Sequence, residues 1–544
     1  MIPAEAVERR VARHRLCEVL LIFMVFFLYA GWVPPAVNEA HYLTKAKHYW
    51  NPDFCAGDHF LESADAHLVF YWTFGWVTLF CSLPAAAWIG RLVTWGAMAW
   101  AWRRLSWCVV PKPYWGLLSA TLFVVFSHHC QMAGEWVIGG VEAKGFAYVL
   151  VMLALEAIAR DRWRRVWILL GIATAFHVLV GGWSMVAAGI AWLLAGPGRP
   201  SARSQCASWG GGILIALLGL VPGLWLTWGV DPDVAAQAND IYVFRRLSHH
   251  LVMSTRPLQF IAAHLALFAL WLLLNRTTLA TMRIHRLRGF VWGAVAIASV
   301  GLLFDLFTPD FALAARILRY YWFRMTDAVL PMGTALAVVG WLAWRLTWRP
   351  VAGRWALLAT MVVAGAALGH WNLTRRCDPR PSAALEGRDP ARHDIAATTA
   401  RYRDWFAVCQ WIGRSTDAED RFLTPLDRRT FKWHAGRTEV VTWKDIPQDA
   451  AGVVQWWERV RSVRQMQRAN ENAGAQDATI RWVLGDGPLF NLARRFSCRY
   501  VVVDAGAAST LPSSQHRVYP TPGQENAHYA VYLVPGETTD GDHP

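Results

Sequence analysis

Eleven apolar stretches, several close to twenty residues long, recur along the first two thirds of the chain, at 16–36, 84–102, 114–133, 145–159, 166–180, 182–195, 209–230, 258–274, 289–308, 327–346 and 354–371. A helix that spans a bilayer needs about twenty mostly apolar residues, so this repetition predicts a polytopic membrane bundle. A single water-soluble domain is excluded on the same ground. The 544 residues are 55% hydrophobic and 17% charged, against about 25% charged in soluble domains. The formal charge of +14 suggests nucleic acid at first sight. However, 30 basic and 18 acidic residues precede the end of the last apolar stretch, whereas 23 and 21 follow it. The excess therefore belongs to the apolar part, where it reports orientation rather than nucleic-acid binding.

Arg9, Arg10, Arg13 and Arg15 precede the first stretch and place the N-terminus in the cytoplasm. No small-x-small cleavage site follows, so the stretch reads as an uncleaved anchor. Basic loops then recur on every second connection: Arg103, Arg104 and Lys112; Arg160, Arg162, Arg164 and Arg165; Arg199 and Arg203; Arg276, Arg283, Arg286 and Arg288; Arg345, Arg349 and Arg354. Eleven crossings satisfy this alternation. Residues 68–83 are expected as an amphipathic helix at the outer interface, because a twelfth crossing there inverts every later loop. The short stretches within 166–195 also suit a re-entrant hairpin.

The predicted fold is thus mainly α: a membrane bundle over 1–371 with outer loops 37–83, 134–144, 231–257 and 309–326. A linker at 372–395 leads to a small extracytoplasmic α/β domain at 396–544. Helical patterns at 406–412 and 453–463 and strand patterns at 439–443, 500–504 and 530–534 support that last assignment. Cys17, Cys81, Cys108, Cys130 and Cys206 are expected as buried apolar residues, while Cys55, Cys377, Cys409 and Cys498 fall where a disulfide is chemically allowed. No Cys/His spacing points to structural zinc. The bacterial cytoplasmic (inner) membrane fits, with the C-terminal domain periplasmic.

Sorted by this topology, most acids and histidines of the membrane part face outwards, which orientation rules do not require. The first outer loop is densest: Asn38-Glu39-Ala40-His41-Tyr42, then Asp53, Asp58-His59, Glu62, Asp65 and His67. Glu39 lies a few residues past the first stretch, where it can accept a proton from a hydroxyl; with Asp58, Asp65 or Glu142 it can also hold a divalent cation such as Mg or Mn. A solvated loop is the alternative for most of these acids. A second acidic site holds Glu135 and then Glu142; Glu142 and Lys144 interrupt apolar sequence among glycines, so they must pair, with each other on the simplest account, line a wet cavity or stay at the interface. Outward arginines run against the orientation bias, and their donor forks suit phosphate: Arg245 beside His249 and His250, and Arg316, Arg319 and Arg324 among Tyr320, Tyr321, Trp322 and Phe323. An interfacial aromatic belt explains the same rings without a ligand. His177 lies in an apolar run and is either a packing residue or a further site. In the C-terminal part, the 424–449 stretch with Phe431, Lys432, Arg437 and Trp443 reads as packing against the membrane part, or as a glycan site.

Together these features resemble the GT-C superfamily of integral-membrane glycosyltransferases. The resemblance rests on a cytoplasmic N-terminus, an acidic first outer loop opening at Asn38-Glu39-Ala40-His41-Tyr42, the stretch from Asp65 to Trp72 leading to Arg91, the second acidic motif (Glu135, Glu142), about eleven spans and an outward α/β domain. The set including Gly-Gly-x-Glu-x-Lys and Arg-x-x-His-His also looks like a bacterial branch of multi-span proteins related to that superfamily. It implies a polyprenyl-phosphate-linked sugar as donor, and a first-loop acid as catalytic base or metal-associated residue. Many members open that loop with Asp-Glu, whereas this chain has Asn38-Glu39, so Glu39, Asp58 or Asp65 takes the role or the chemistry is altered. The expected activity is sugar transfer from the lipid carrier to an envelope acceptor on the outer face. The same donor class follows from location, because nucleotide-sugars are cytosolic. A transporter or flippase of an anionic lipid or solute is the competing reading, with a non-catalytic envelope protein that binds a glycan or partner as the third.

Overall fold

A computed structural model describes residues 4–196, 198–277, 281–377, 380–381, 394–472, 487–505 and 516–536; the side chains of 4–13, 376–377 and 467–472 are outside the description. Most of the linker expected at 372–395 therefore lies outside the described residues, as does the side chain of Cys377. The chain is mainly helical and divides into two units: Met1–Gly31, Ala66–Trp72 and Trp88–Cys377 form the first; Trp32–Asp65, Thr73–Ala87 and Asp378–Pro544 form the second.

Every expected apolar stretch overlaps a helix: Ala4–Ala30, Leu83–Val109, Trp115–His129, Ala143–Ala159, Trp163–Phe176, Val178–Leu194, Ala202–Trp225, Leu258–Thr277, Met282–Phe307, Arg324–Trp348 and Pro350–Cys377. Among the described residues, five regions are helices long and apolar enough to cross a membrane by length and composition: Ala202–Trp225, Leu258–Thr277, Met282–Phe307, Arg324–Trp348 and Pro350–Arg375. The larger count of eleven rests on the alternation of loop charge. Residues 68–83 do not form one amphipathic helix. They break into Leu68–Phe70, a π-helical turn Tyr71–Gly75 and Val77–Phe80.

Small residues let the helices of the first unit approach closely. A Cβ on Gly171 would stand 2.3 Å from the Gly212 carbonyl oxygen, and one on Gly293 2.7 Å from Ala187 Cα. Such contacts are the usual means by which apolar helices associate where no hydrophobic drive separates them from lipid. Two buried glutamates of this unit are paired: Glu18 meets Arg103 Nε at 3.1 Å, and Arg104 meets Glu156 at 3.0 Å.

In the second unit, five short strands lie in the order β2-β1-β3-β5-β4, with β1 Arg421–Leu423, β2 Thr438–Glu439, β3 Tyr500–Asp504, β4 Arg517–Tyr519 and β5 Tyr529–Leu533. β1 runs parallel to β2 and β3, while β5 is antiparallel to β3 and β4. The helix Ile395–Ser415 covers the sheet with Trp405, Val408, Cys409 and Ile412 against Phe422, Tyr500, Val502 and Val531. The expected strand at 439–443 is shorter than its pattern, because Trp443 leaves the sheet and packs on Trp456. Cys55, Cys409 and Cys498 are buried and free; Cys17 and Cys206 are exposed rather than buried.

Candidate functional site

Within the first unit, the loop before the helix Ala143–Ala159 and the start of the helix Arg324–Trp348 bring the second acidic motif and Arg324 together. Lys144 Nζ lies 3.6 Å from Glu135 Oε1 and 3.5 Å from Glu142 Oε2. Arg324 Nε lies 3.2 Å from the other Glu135 oxygen, and Tyr148 donates its hydroxyl to Oε1 at 3.2 Å. The Arg324 guanidinium covers the Tyr321 ring at 3.9 Å, and the Tyr321 and Tyr242 hydroxyls are 3.0 Å apart. Burial and the neighbouring Tyr321 hydroxyl push the Tyr242 phenol well up, so it stays protonated. Both cations stand at the first turns of helices, where the helix dipole already favours an anion.

Asp327 holds this loop in place. It is fully buried, and its carboxylate accepts the backbone N–H of Met132 and Ala133 at 2.7 Å and of Glu135 at 3.2 Å, with His264 Nδ1 3.5 Å away. His250 supports the same turn through Nδ1, 2.5 Å from the Ala133 carbonyl. Gly134 between them has φ +75, and a Cβ there would meet the His250 ring at 3.1 Å. Sequence reasoning passed over Asp327, although a carboxylate inside an apolar stretch is itself a signal. Tyr148 offered no comparable signal.

The remaining candidates are dispersed. His177 breaks the chain between two helices, accepts the Val180 N–H at 3.3 Å as a cap and stacks on His67 at 5.2 Å. Arg91 is fully buried with its guanidinium 4.9 Å from the Trp88 ring. Arg319 donates to Asn239 at 2.6 Å, which explains its position without a ligand. Arg245 has a 60% exposed side chain and a loose 3.5 Å pair with Asp240, and Arg316 and His249 are exposed. Arg245, Arg316, Arg319 and Arg324, expected to face outwards, form no common phosphate site. Only Arg324 joins Lys144.

The first-loop candidates belong to the second unit, where they meet the C-terminal region. Lys432 is buried, with Nζ 2.7 Å from Glu439, 2.8 Å from Asp445 and 3.5 Å from Asp58. His41 Nδ1 reaches Asp445 at 3.0 Å, and burial outweighs that carboxylate to hold the imidazole below its ordinary range. The neutral ring therefore donates from Nδ1. Asp58 also accepts the N–H of Phe60 and Leu61, both at 3.1 Å. Burial pushes Glu439 up to about 7, whereas Lys432 and His41 hold Asp445 below the usual carboxylate range. Lys45 is anchored separately by the carbonyls of Phe60, Leu61 and Ser63 at 2.7–3.1 Å and by Asp65 at 3.4 Å.

These placements correct several expectations. Glu39 is fully buried and takes the Ala36 N–H at 2.6 Å, so it holds the turn into the helix Glu39–Trp50 rather than standing in an open polar loop. Asn38 is that helix's half-buried N-cap position, without a side-chain capping bond. Asp58 and Asp65 are held by two different lysines. Among the described residues no group of three or more His, Cys, Asp or Glu side chains is placed to hold a metal ion. Of the carboxylates expected to hold Mg or Mn, three lie in the second unit, where Glu39 takes the Ala36 N–H, Asp58 those of Phe60 and Leu61, and Asp65 lies against Lys45; Glu142 lies in the first unit against Lys144. Phe431 and Lys432 do not form a glycan surface, because both are buried within their own unit. Arg437 is spent on the Gly413, Thr416 and Gly436 carbonyls.

Residues 403–463 match the model of a family described as a domain of unknown function (DUF6798). No curated protein matches the chain in sequence. Among solved structures, the chain is similar to the Archaeoglobus fulgidus oligosaccharyltransferase in complex with Zn and sulfate, at 12% identity and a TM-score of 0.39 over 90% of this chain and 68% of that one. It is likewise similar to the apo form (10%, 0.43, 90% and 69%) and to archaeal oligosaccharyltransferase AglB from the same organism in complex with an inhibitory peptide and a dolichol-phosphate (10%, 0.42, 90% and 69%). The likeness is too loose to equate individual side chains.

Proposed function

We propose that the protein transfers a sugar from a polyprenyl-phosphate-linked donor to an envelope acceptor on the outer face of the bacterial cytoplasmic membrane. The observation that supports this reading is the pairing of Lys144 and Arg324, each in the first turn of its helix, with Glu135 and Glu142. Two cations at two helix N-termini suit a phosphate, and Glu135 and Glu142 balance them when no anion is bound. In the proposed reaction, the bond from the anomeric carbon to the phosphate oxygen breaks. That oxygen leaves with the electron pair, and Arg324 and Lys144 stabilise its charge. The acceptor oxygen bonds to the anomeric carbon and gives its proton to Glu142, whose side chain is 10% exposed against 1% for Glu135. Asp327 acts through the loop it holds and is a positioning residue.

The test is transfer of radiolabelled sugar from a panel of polyprenyl-phosphate donors, in membranes carrying the full chain. Arg324→Gln and Lys144→Met are expected to lower transfer by about 100-fold each, the size of losing one preorganised charge-stabilising group. Glu39→Gln is expected to keep most of it, since the amide oxygen still accepts the Ala36 N–H. No transfer by folded wild type across the panel overturns the reading. Loss in Glu39→Gln with retention in Glu142→Gln moves the proton acceptor back to Glu39.

A further inference from the structure

A second polar feature of the first unit lies apart from Lys144 and Arg324. A cleft opens between the helices Leu258–Thr277, Met282–Phe307 and Arg324–Trp348. Trp271, Leu287, Val291, Leu336 and Ala337 give it an apolar lining, and Asn275 and Arg288 are its polar members. All three helices are apolar and long enough to cross a membrane, so the lining is matched to hydrocarbon rather than to a soluble ligand.

Arg288 is the unusual member. Its Nε is buried and has no hydrogen-bond partner, and among the described residues no carboxylate pairs with the guanidinium. Its neighbour Arg286, by contrast, is paired with Asp161 at 2.9 Å. An unpaired guanidinium at an apolar cleft retains its full capacity for a phosphate, which it meets with a planar fork of donors. Arg283 and Arg276 are exposed nearby in sequence and add positive charge at the same helix ends. Asn275 spends its amide on the Trp271 carbonyl at 2.8 Å, which leaves its own oxygen to accept from a headgroup hydroxyl.

We propose that this cleft binds an anionic phospholipid, with one acyl chain against Trp271, Val291, Leu336 and Ala337 and the headgroup phosphate on Arg288. Charge complementarity selects the occupant: a zwitterionic lipid offers the same chain, but brings its own cation to a site that already holds one. The site is separate from the proposed transferase centre, and its test does not depend on activity.

Native mass spectrometry of the purified full chain, titrated in parallel with dioleoylphosphatidylglycerol and dioleoylphosphatidylcholine, reads both parts of the proposal. The wild type is expected to retain the first lipid about tenfold more tightly. Arg288→Gln is expected to abolish that preference, and Arg283→Gln, which changes an exposed neighbour, to keep it. Ala337→Phe fills the cleft and is expected to weaken both lipids together. Equal retention of the two lipids by the wild type overturns the proposal, as does an Arg288→Gln protein with undiminished preference. Equal loss in Arg283→Gln overturns it too, because the preference is then a diffuse surface effect. Should Ala337→Phe not fold, the comparison of the two arginine variants decides alone.

Discussion

The residues that organise this molecule are buried acids with several partners, and what surrounds them decides what each can do. Asp327 satisfies three backbone N–H groups of one loop. Replacing it by alanine leaves three buried donors without an acceptor, at about 3 kcal/mol or more in total. Asp327→Ala is therefore expected to lower the melting temperature of the detergent-solubilised protein well beyond Asp305→Ala, whose partner Ser254 is exposed; equal melting of the two variants refutes the assignment. Glu439 carries a pH dependence. Its folded value of about 7 stands above the ordinary 4.5, so the folded unit holds a proton that the unfolded chain has released. This contribution to stability is full below about 4.5 and is lost as pH rises through about 7, by roughly 3 kcal/mol at most. Hydrogen exchange over 431–445 in the full chain is expected to show easier opening at pH 8 than at pH 5.5, and Glu439→Gln is expected to flatten that difference. The acidic motif around Glu142 was legible in the sequence because charge stood out against apolar neighbours. The burial of Glu39 was not, since a polar loop looks alike whether solvent or another chain segment covers it.

At the scale of elements, apolar length located the long helices of the first unit, but not the short ones Pro232–Asp240 and Phe311–Leu318 in its expected loops, nor how closely the helices pack. The two helices on either side of His177 illustrate the difference. Their hydrophobic run reads as two short spans or a re-entrant hairpin, and the break comes from one extended residue, φ −150 and ψ 104, whose ring caps the following helix. Gly181 then lies so close to the preceding helix that an added Cβ would stand 2.1 Å from the Thr174 nitrogen. Gly182 has nothing within 4 Å of the same position. Gly181→Ala is expected to cost about 1–3 kcal/mol and lower the yield of monodisperse protein, while Gly182→Ala is neutral or stabilising. Thermal denaturation of the two variants side by side separates this packing account from a general intolerance of alanine in the turn. Strands were harder to locate. The three-residue strands β1 and β4 carry too little alternation to be seen, whereas the five-residue strand β3 was fully apparent as an apolar run.

On the scale of the whole molecule, the second unit draws on segments far apart in sequence, which neither composition nor periodicity reveals. Its buried cluster takes Asp58 and His41 from the segment 32–65 and Lys432, Glu439 and Asp445 from the C-terminal region. Backbone groups join the same segments: Arg421 donates to the Gly57 carbonyl at 3.0 Å, Thr438 to that of Ala56 at 2.8 Å, and His59 Nε2 lies 3.2 Å from that of Gly452. A C-terminal fragment therefore lacks part of its own interior. Without that segment, Lys432 keeps two carboxylates, but Asp445 loses the His41 ring, and Arg421 and Thr438 lose the Gly57 and Ala56 carbonyls to which they donate. Breaking a buried charged cluster by removing partners costs about 3–5 kcal/mol, a large part of the stability of a domain this size. Residues 394–544 expressed alone are expected to retain helical far-ultraviolet dichroism with weakened near-ultraviolet bands and a broad thermal transition. Joining residues 32–65 to that fragment through a flexible linker is expected to sharpen the transition and raise its midpoint. A fragment that melts cooperatively without the loop, at the same temperature as the joined protein, shows instead that the sheet and the helix Ile395–Ser415 suffice for folding.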